Sequence, residues 1–317
     1  MFLVIPVMSA NASWTQVNES AGWSVRGYFS SVVLPDNSIV LMGGCNDKGY
    51  SNETWKSADN GATWSQVSPN AGWTGRCYHN SVALPDGSIV LIGGEDGRTR
   101  NDVWRSTNNG TTWTEVNAST GWTPRESLSS AVMPDGSIIV SGGTLPGGYV
   151  QFSDVWRSID KGTTWTKVTA DAGWSPRYGH GMVALSNGTI VITGGYTFGP
   201  TYSNETWRSE DYGATWTRVN ASSGWSKRYF SSMVSMPDRS IVLLGGGNNE
   251  HYTNDTWQSK DSGTTWNRID ASAGWTARMG QNSVGMPDGS IVLMGGYDGS
   301  YRNDVWRRGT FKSSDTD

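Results

Sequence analysis

The sequence predicts an all-β chain folded as a six-bladed β-propeller, and three observations carry that prediction. Gly at 41 and Trp at 18 stand far above ordinary usage in 317 residues, which calls for many short strands and tight turns. The eighteen Trp fall into three series of six: 14, 64, 113, 165, 216, 266; then 23, 73, 122, 174, 225, 275; then 55, 104, 156, 207, 257, 306. That self-similar period of about fifty residues marks an array in which each repeat is one small sheet.

Within the first full repeat, SSVVLPDNSIVLMGG holds two apolar runs joined by a Pro-Asp turn, and these read as strands one and two of a hairpin. NETWKS follows as strand three, the turn SADNG reverses the chain, and TWSQV is strand four. Each blade is thus expected to be a four-stranded antiparallel meander. After Trp306 the chain has no fourth strand, while the N-terminal ASWTQV matches one. The two ends are therefore expected to share a blade, closing one domain over 13–308 and leaving a polar tail at 309–317.

SADNGATW at 57–64 returns as STNNGTTW, SIDKGTTW, SEDYGATW and SKDSGTTW. A short carboxylate there accepts hydrogen bonds from the turn's own backbone, and the glycine permits positive φ. Asp59, Asn108, Asp160, Asp211 and Asp261 are accordingly expected to be scaffolding, one per blade, rather than a catalytic set.

The chain resembles the kelch-repeat family through its Gly-Gly pairs (Gly43-Gly44, Gly93-Gly94, Gly194-Gly195), the Asn-Asp-x-Trp at 101–104, and Pro124-Arg125 and Pro176-Arg177. Its Ser-x-Asp-x-Gly-x-Thr-Trp turns are similar to the Asp-box of sialidases and other secreted propellers. The kelch likeness implies that an arginine after the second-series Trp can line a ligand pocket.

Charge is near balance, with 24 Lys and Arg against 28 Asp and Glu, so nucleic acid is not an expected partner. No apolar stretch is long enough to span a membrane. The opening MFLVIPVMSANA reads as the remnant of a signal peptide over 1–12, although it lacks a basic n-region. Nine Asn-x-Ser/Thr sequons, at Asn11, 18, 52, 109, 117, 187, 204, 220 and 254, also fit a secreted or surface glycoprotein. Cys45 and Cys77 occupy the ends of adjacent blades, either as a disulfide or as two free, partly buried thiols.

Spacing locates the functional face. The segment between Gly-Gly and the acid before the third-series Trp has 8, 7, 10, 9, 8 and 7 residues and holds all the variation in period. Antiparallel topology puts these two-three loops on the face of the four-one connections, and in repeat proteins insertions gather on the binding face. They carry Tyr50, Tyr149, Tyr202, Tyr252 and Tyr301, rings suited to sugars or peptide side chains. The same face is expected to carry Arg26, Arg76, Arg125, Arg177, Arg228 and Arg278. Left unpaired, these favour a carboxylate-bearing ligand. The competing expectation pairs them internally with Glu53, Asp102, Asp154, Glu205, Asp255 and Asp304.

The function read from these features is a non-catalytic, monomeric binding propeller for a protein or carbohydrate, with no cofactor. Two enzyme classes compete with it. Sialidase-like hydrolysis would draw on the arginines with Glu126, the only acid in the column after them, and on Tyr178 and Tyr229 in the same column. A galactose-oxidase-like copper site would draw on His79, His180 and His251. A structural component of a surface layer is the third alternative.

Overall fold

The structure is a computed structural model describing residues 13–199 and 201–310; the segment expected to be a signal remnant, with Asn11, and residues 311–317 lie outside the described residues. Six four-stranded antiparallel sheets, each in meander order, make up the body of the fold, and a three-stranded and a two-stranded sheet lie in the loops among the described residues. Sheet 1 comprises Ser30–Val33, Ile39–Met42, Thr54–Ser57 and Ser65–Ser68. Sheets 2 to 5 repeat this plan, starting at Asn80–Ala83, Ser129–Val132, Gly181–Ala184 and Ser232–Ser235. Sheet 6 runs Asn282–Gly285, Ile291–Tyr297 and Tyr301–Arg308, and its outer strand is the N-terminal Trp14–Asn18. Trp14 pairs with Arg308 and Gln16 with Trp306.

The second strand of each sheet opens on at least three consecutive apolar residues, because both its faces are covered. In sheet 1, Ile39 and Leu41 pack against Val292 and Met294 of sheet 6. The alternate residues Val40 and Met42 pack against Ile89 and Leu91 of sheet 2. All four are fully buried, so a strand that would alternate in a one-sided sheet reads as IVLM here. The same pattern links each later sheet to the next.

Each Trp series has its own task. The second series lies buried between sheets, each indole set about perpendicular to a first-series indole, as in Trp23 with Trp64 and Trp174 with Trp216. Its Nε1 has no oxygen or nitrogen partner in any of the six copies. The first series returns its Nε1–H to the turn glycine, as in Trp64 to Gly61 O at 3.1 Å. Trp14 precedes the first such turn and makes no such bond.

Those turns interlock with the preceding sheet. Gly61 has φ of 87°, and a Cβ there would stand 2.7 Å from Val305 Cγ1 and 3.1 Å from Val292 Cγ1. Gly72 has φ of 90° with nothing within 4 Å. Gly61→Ala is expected to cost about 2–4 kcal/mol, the left-handed backbone plus the clash, whereas Gly72→Ala carries only the backbone term of about 1–2 kcal/mol. Urea denaturation of the two variants measures this, and equal losses would refute the interlocking role of Gly61.

Candidate functional site

Each of the six arginines is buried and consumed internally. In sheet 1, Arg26 Nε donates to Ser24 O at 3.0 Å, Nη1 to Gly43 O at 3.0 Å, and Nη2 to Glu53 Oε2 at 2.5 Å. Arg76–Asp102, Arg125–Asp154, Arg228–Asp255 and Arg278–Asp304 pair at 2.5–2.6 Å. Arg177–Glu205 is looser at 3.3 Å. Each carboxylate also accepts the indole N–H of the third-series Trp two residues on, as in Trp156 to Asp154 at 2.8 Å. Burial draws Arg177 down to about 10, against the field of Glu205, and it stays charged at neutral pH. The arginines therefore do not present guanidinium to a ligand, because every one lies beneath the face with its donors already satisfied.

What reaches the face is the pair of residues after each arginine. The second of them, Tyr28, Tyr78, Ser127, Gly179, Phe230 or Gly280, has positive φ in all six copies. Tyr28 N–H donates to Gly280 O, Gly280 to Phe230, Phe230 to Gly179, Gly179 to Ser127, Ser127 to Tyr78, and Tyr78 to Tyr28. These six bonds of 2.8–3.1 Å form a complete cycle. It sits at one end of a cavity of about 240 Å³ lined by serines, Asn80, Asn282, His79 and His180. Burial, with the field of Arg76 or Arg177, holds each histidine down at about 3, hence neutral; His251 is exposed in its loop. Among the described residues no three His, Cys, Asp or Glu side chains converge as a metal set.

Three aromatic rings fill the mouth of this cavity. Tyr28 and Tyr78 lie 4.5 Å apart, and Phe230 is 5.1 and 5.5 Å from them. The contacts continue through Tyr229 at 4.6 Å and Tyr178 at 6.2 Å to Tyr196 and Tyr202. Seven half-buried rings thus form one floor. Tyr252, Tyr297 and Tyr301 make a second group beside it, and Tyr301 packs against Gly27, next to Tyr28. The loops add Tyr149 at 84% exposure and Phe198 at 75%. Of the five tyrosines expected in the loops, Tyr202, Tyr252 and Tyr301 join these ring groups, while Tyr149 is exposed and Tyr50 hydrogen-bonds through its OH to Glu95 at 2.8 Å.

The rings do not go all the way round. At the first position after each arginine and its β-bridge partner, sheets 1 to 3 place Gly27 with Cys45, Cys77 with Glu95, and Glu126 with Thr144. Sheets 4 to 6 place Tyr178 with Tyr196, Tyr229 with Gly247, and Met279 with Tyr297. One arc is therefore thiol and carboxylate, the other mainly aromatic. Cys45 and Cys77 are free buried thiols rather than a disulfide. The neighbouring Cys45 thiol, and then burial, pushes the Cys77 thiol up. Burial, and then the charge of Glu95, raises Glu126 to about 7.

A model of the KLHDC2/KLHL20/DRC7 Kelch-repeats domain matches residues 130–312, more than half of the chain. The chain belongs to the kelch-repeat family. A model of the DUF6242 beta propeller domain also matches, over residues 69–178. No curated protein matches.

In this kelch chain the Ser-x-Asp-x-Gly turns bond to themselves. Ser57 Oγ accepts Gly61 N–H at 2.9 Å and donates to Asp59, whose two oxygens accept Thr63 N–H at 2.8 Å and its hydroxyl at 2.6 Å. Asp160, Asp211 and Asp261 repeat this. Asn108 keeps it by donating Nδ2 to Thr112 Oγ1 at 2.9 Å. The sequons are largely structural too. Asn18, Asn117 and Asn220 donate Nδ2 to a turn carbonyl of the next sheet. Asn52, Asn204 and Asn254 donate theirs to a tryptophan carbonyl. Asn109 and Asn187 are exposed.

Of the aromatic floor, Tyr28, Tyr78, Tyr196 and Phe230 were missed by the sequence reading, as were Glu95 and Phe198. The repeated column after each arginine held the signal, since its residues differ in chemistry where their neighbours do not.

Two predictions follow from this geometry. Arg125→Ala leaves the half-buried Asp154 without its counter-charge and is expected to cost about 3 kcal/mol, while Asn108→Asp stays within about 0.5 kcal/mol; chemical denaturation compares them. For Glu126, the folded chain holds the proton up to about 7 and the unfolded chain only to about 4.3. Stability therefore falls as pH rises through that window. Glu126→Gln should match the parent near pH 4 and melt higher at pH 8, and a variant no more stable at pH 8 would contradict the assignment.

Proposed function

We propose that this kelch protein is a non-catalytic interaction module: a six-bladed propeller over 13–308, closed by its N-terminal strand and working as a monomer, that binds a partner protein on its variable-loop face. Closure is supported by the pairing of Trp14–Asn18 with Tyr301–Arg308 and by contact of the innermost strand of sheet 6 with that of sheet 1. Kelch propellers commonly bind proteins. The observation that carries the reading is the continuous half-buried aromatic floor on the one face whose loops differ. Large aromatic surface with polar tips suits protein recognition, and contiguous exposed apolar surface marks interaction sites. A carbohydrate stacking on the same rings is the alternative ligand.

Hydrolysis of the sialidase kind is disfavoured because its carboxylate clamp needs free arginines, and all six in the column are spent on internal partners. An extracellular or cell-surface location rests on the apolar start and on the sequons, of which Asn109 and Asn187 are the exposed candidates for a glycan among the described residues. No helix among the described residues is long and apolar enough to cross a membrane. The five self-bonded turns are read as Asp-box scaffolding on the opposite face.

Two variant sets test the assignment of the faces. Tyr202, Tyr252 and Tyr301 to Ala should weaken capture of the partner at least ten-fold with little change in melting temperature. Asp59, Asp160 and Asp261 to Ala should lower the melting temperature and leave affinity nearly unchanged at a temperature where the protein is folded. The reverse pattern would show that the faces are assigned the wrong way round.

A further inference from the structure

We propose that the partner presents a cationic side chain, a lysine or arginine, which seats on Glu126 at the edge of the aromatic floor beside Tyr178. This deepens the reading of the loop face as a docking surface and rests on it.

Charge selects the occupant. The arginines that could have drawn a carboxylate are buried and neutralised, so the twelve inner-rim positions carry two carboxylates, Glu95 and Glu126, and no cation. Glu95 holds the Tyr50 hydroxyl and has Cys77 Sγ 3.9 Å from its other oxygen. The Glu126 carboxylate has no ion-pair or hydrogen-bond partner among the described residues, its backbone alone pairing with Thr144. Arg125, its neighbour in sequence, is turned inward onto Asp154 and stacks on Phe152 at 3.8 Å. Of the basic residues in the sheet 2 loop, Arg100 is paired to Asp96 and Arg98 is exposed at the loop tip.

A half-buried carboxylate is costly without a counter-charge, and an incoming ammonium or guanidinium removes that cost. The adjoining rings offer the faces over which such a cation packs. The other groups facing Glu126 are Glu95 and Cys77 from sheet 2 and Tyr178 from sheet 4. Cys77 and Tyr178 are both pushed up by their surroundings, so at neutral pH they add no charge. Binding should accordingly weaken as pH falls through about 7, where unliganded Glu126 takes up its proton.

The experiment uses the whole chain and fluorescein-labelled twelve-residue Gly-Ser-Tyr peptides that differ only in a central Lys, Arg, Gln or Glu, read by fluorescence polarisation at pH 8 in low salt. Lys and Arg peptides should bind about ten-fold or more tighter than the Gln peptide. The preference should collapse in Glu126→Gln, invert toward the Glu peptide in Glu126→Lys, and shrink in the parent at pH 6. Both variants change a half-exposed group without structural partners, and thermal melting checks that they fold. A parent with no cationic preference, including one that binds no peptide, overturns the proposal, as does a preference that survives in Glu126→Gln. If the tyrosine triple variant loses the partner while Glu126→Gln keeps it, the docking face stands and the cationic contact alone falls.

Discussion

Everything on the loop face depends on the guanidinium beneath it. In sheet 1, Arg26 donates to the carbonyl of Gly43 and to the carboxylate of Glu53, and the variable loop lies between those two residues. One planar cation therefore clamps both ends of the loop and leaves its middle free. That is why the loop runs from 7 to 10 residues across the repeats while the contact to Gly O stays at 2.9–3.0 Å in all six. A five-donor fork is suited to this and an ammonium is not. Removing two charges from water is costly, so such pairs add little net stability over an apolar substitute. What they secure here is register: strand two, strand three and the incoming connection must all be in place before the donors are satisfied.

The backbone N–H of each arginine extends the same arrangement between sheets. Arg26 N–H donates to Arg302 O of sheet 6 and Arg76 N–H to Ser51 O of sheet 1, and so on around the set. Two residues later comes the cycle of six backbone bonds. Holding Tyr28, Tyr78 and Phe230 at positive φ is unfavourable for bulky side chains, and a cycle in which each member's N–H is fixed by the next sustains it. The cost is offset by scaffold interactions, and the result is three rings gathered over one cavity mouth.

The sequence revealed the scaffold well, because scaffolding is repeated: the Trp series, the turns and the second-strand runs each appear five or six times, and a signal seen that often needs no coordinates. It even held the correct partner for each arginine, since Glu53 and its counterparts recur at fixed offsets from a Trp. The site was less legible for the opposite reason. Tyr28, Tyr78 and Phe230 share a column with Ser127 and two glycines, so no periodic rule singles them out. Their convergence comes from a left-handed backbone and a hydrogen-bond cycle that span six sheets. The loop tyrosines stand out in the sequence because they sit where length varies, but their contacts with Tyr196, Tyr229 and Tyr297 belong to three dimensions.

A ring that leans on another ring is already fixed before a partner arrives. Tyr178 touches Tyr196, Tyr229 and Phe230, and Tyr202 touches Tyr196 and Tyr229, so few of the rotamers available to a lone surface tyrosine remain to be lost. Ordering side chains is a principal cost of association, about 0.5–1.5 kcal/mol for each one immobilised. A floor of mutually packed rings has met that cost in folding, and the folding is secured by the arginine clamps and the backbone cycle below. The regular part of the molecule thus preorganises the loop face, while the Glu126 carboxylate and the exposed Tyr149 and Phe198 stand outside those clamps and, on the proposed reading, select the partner.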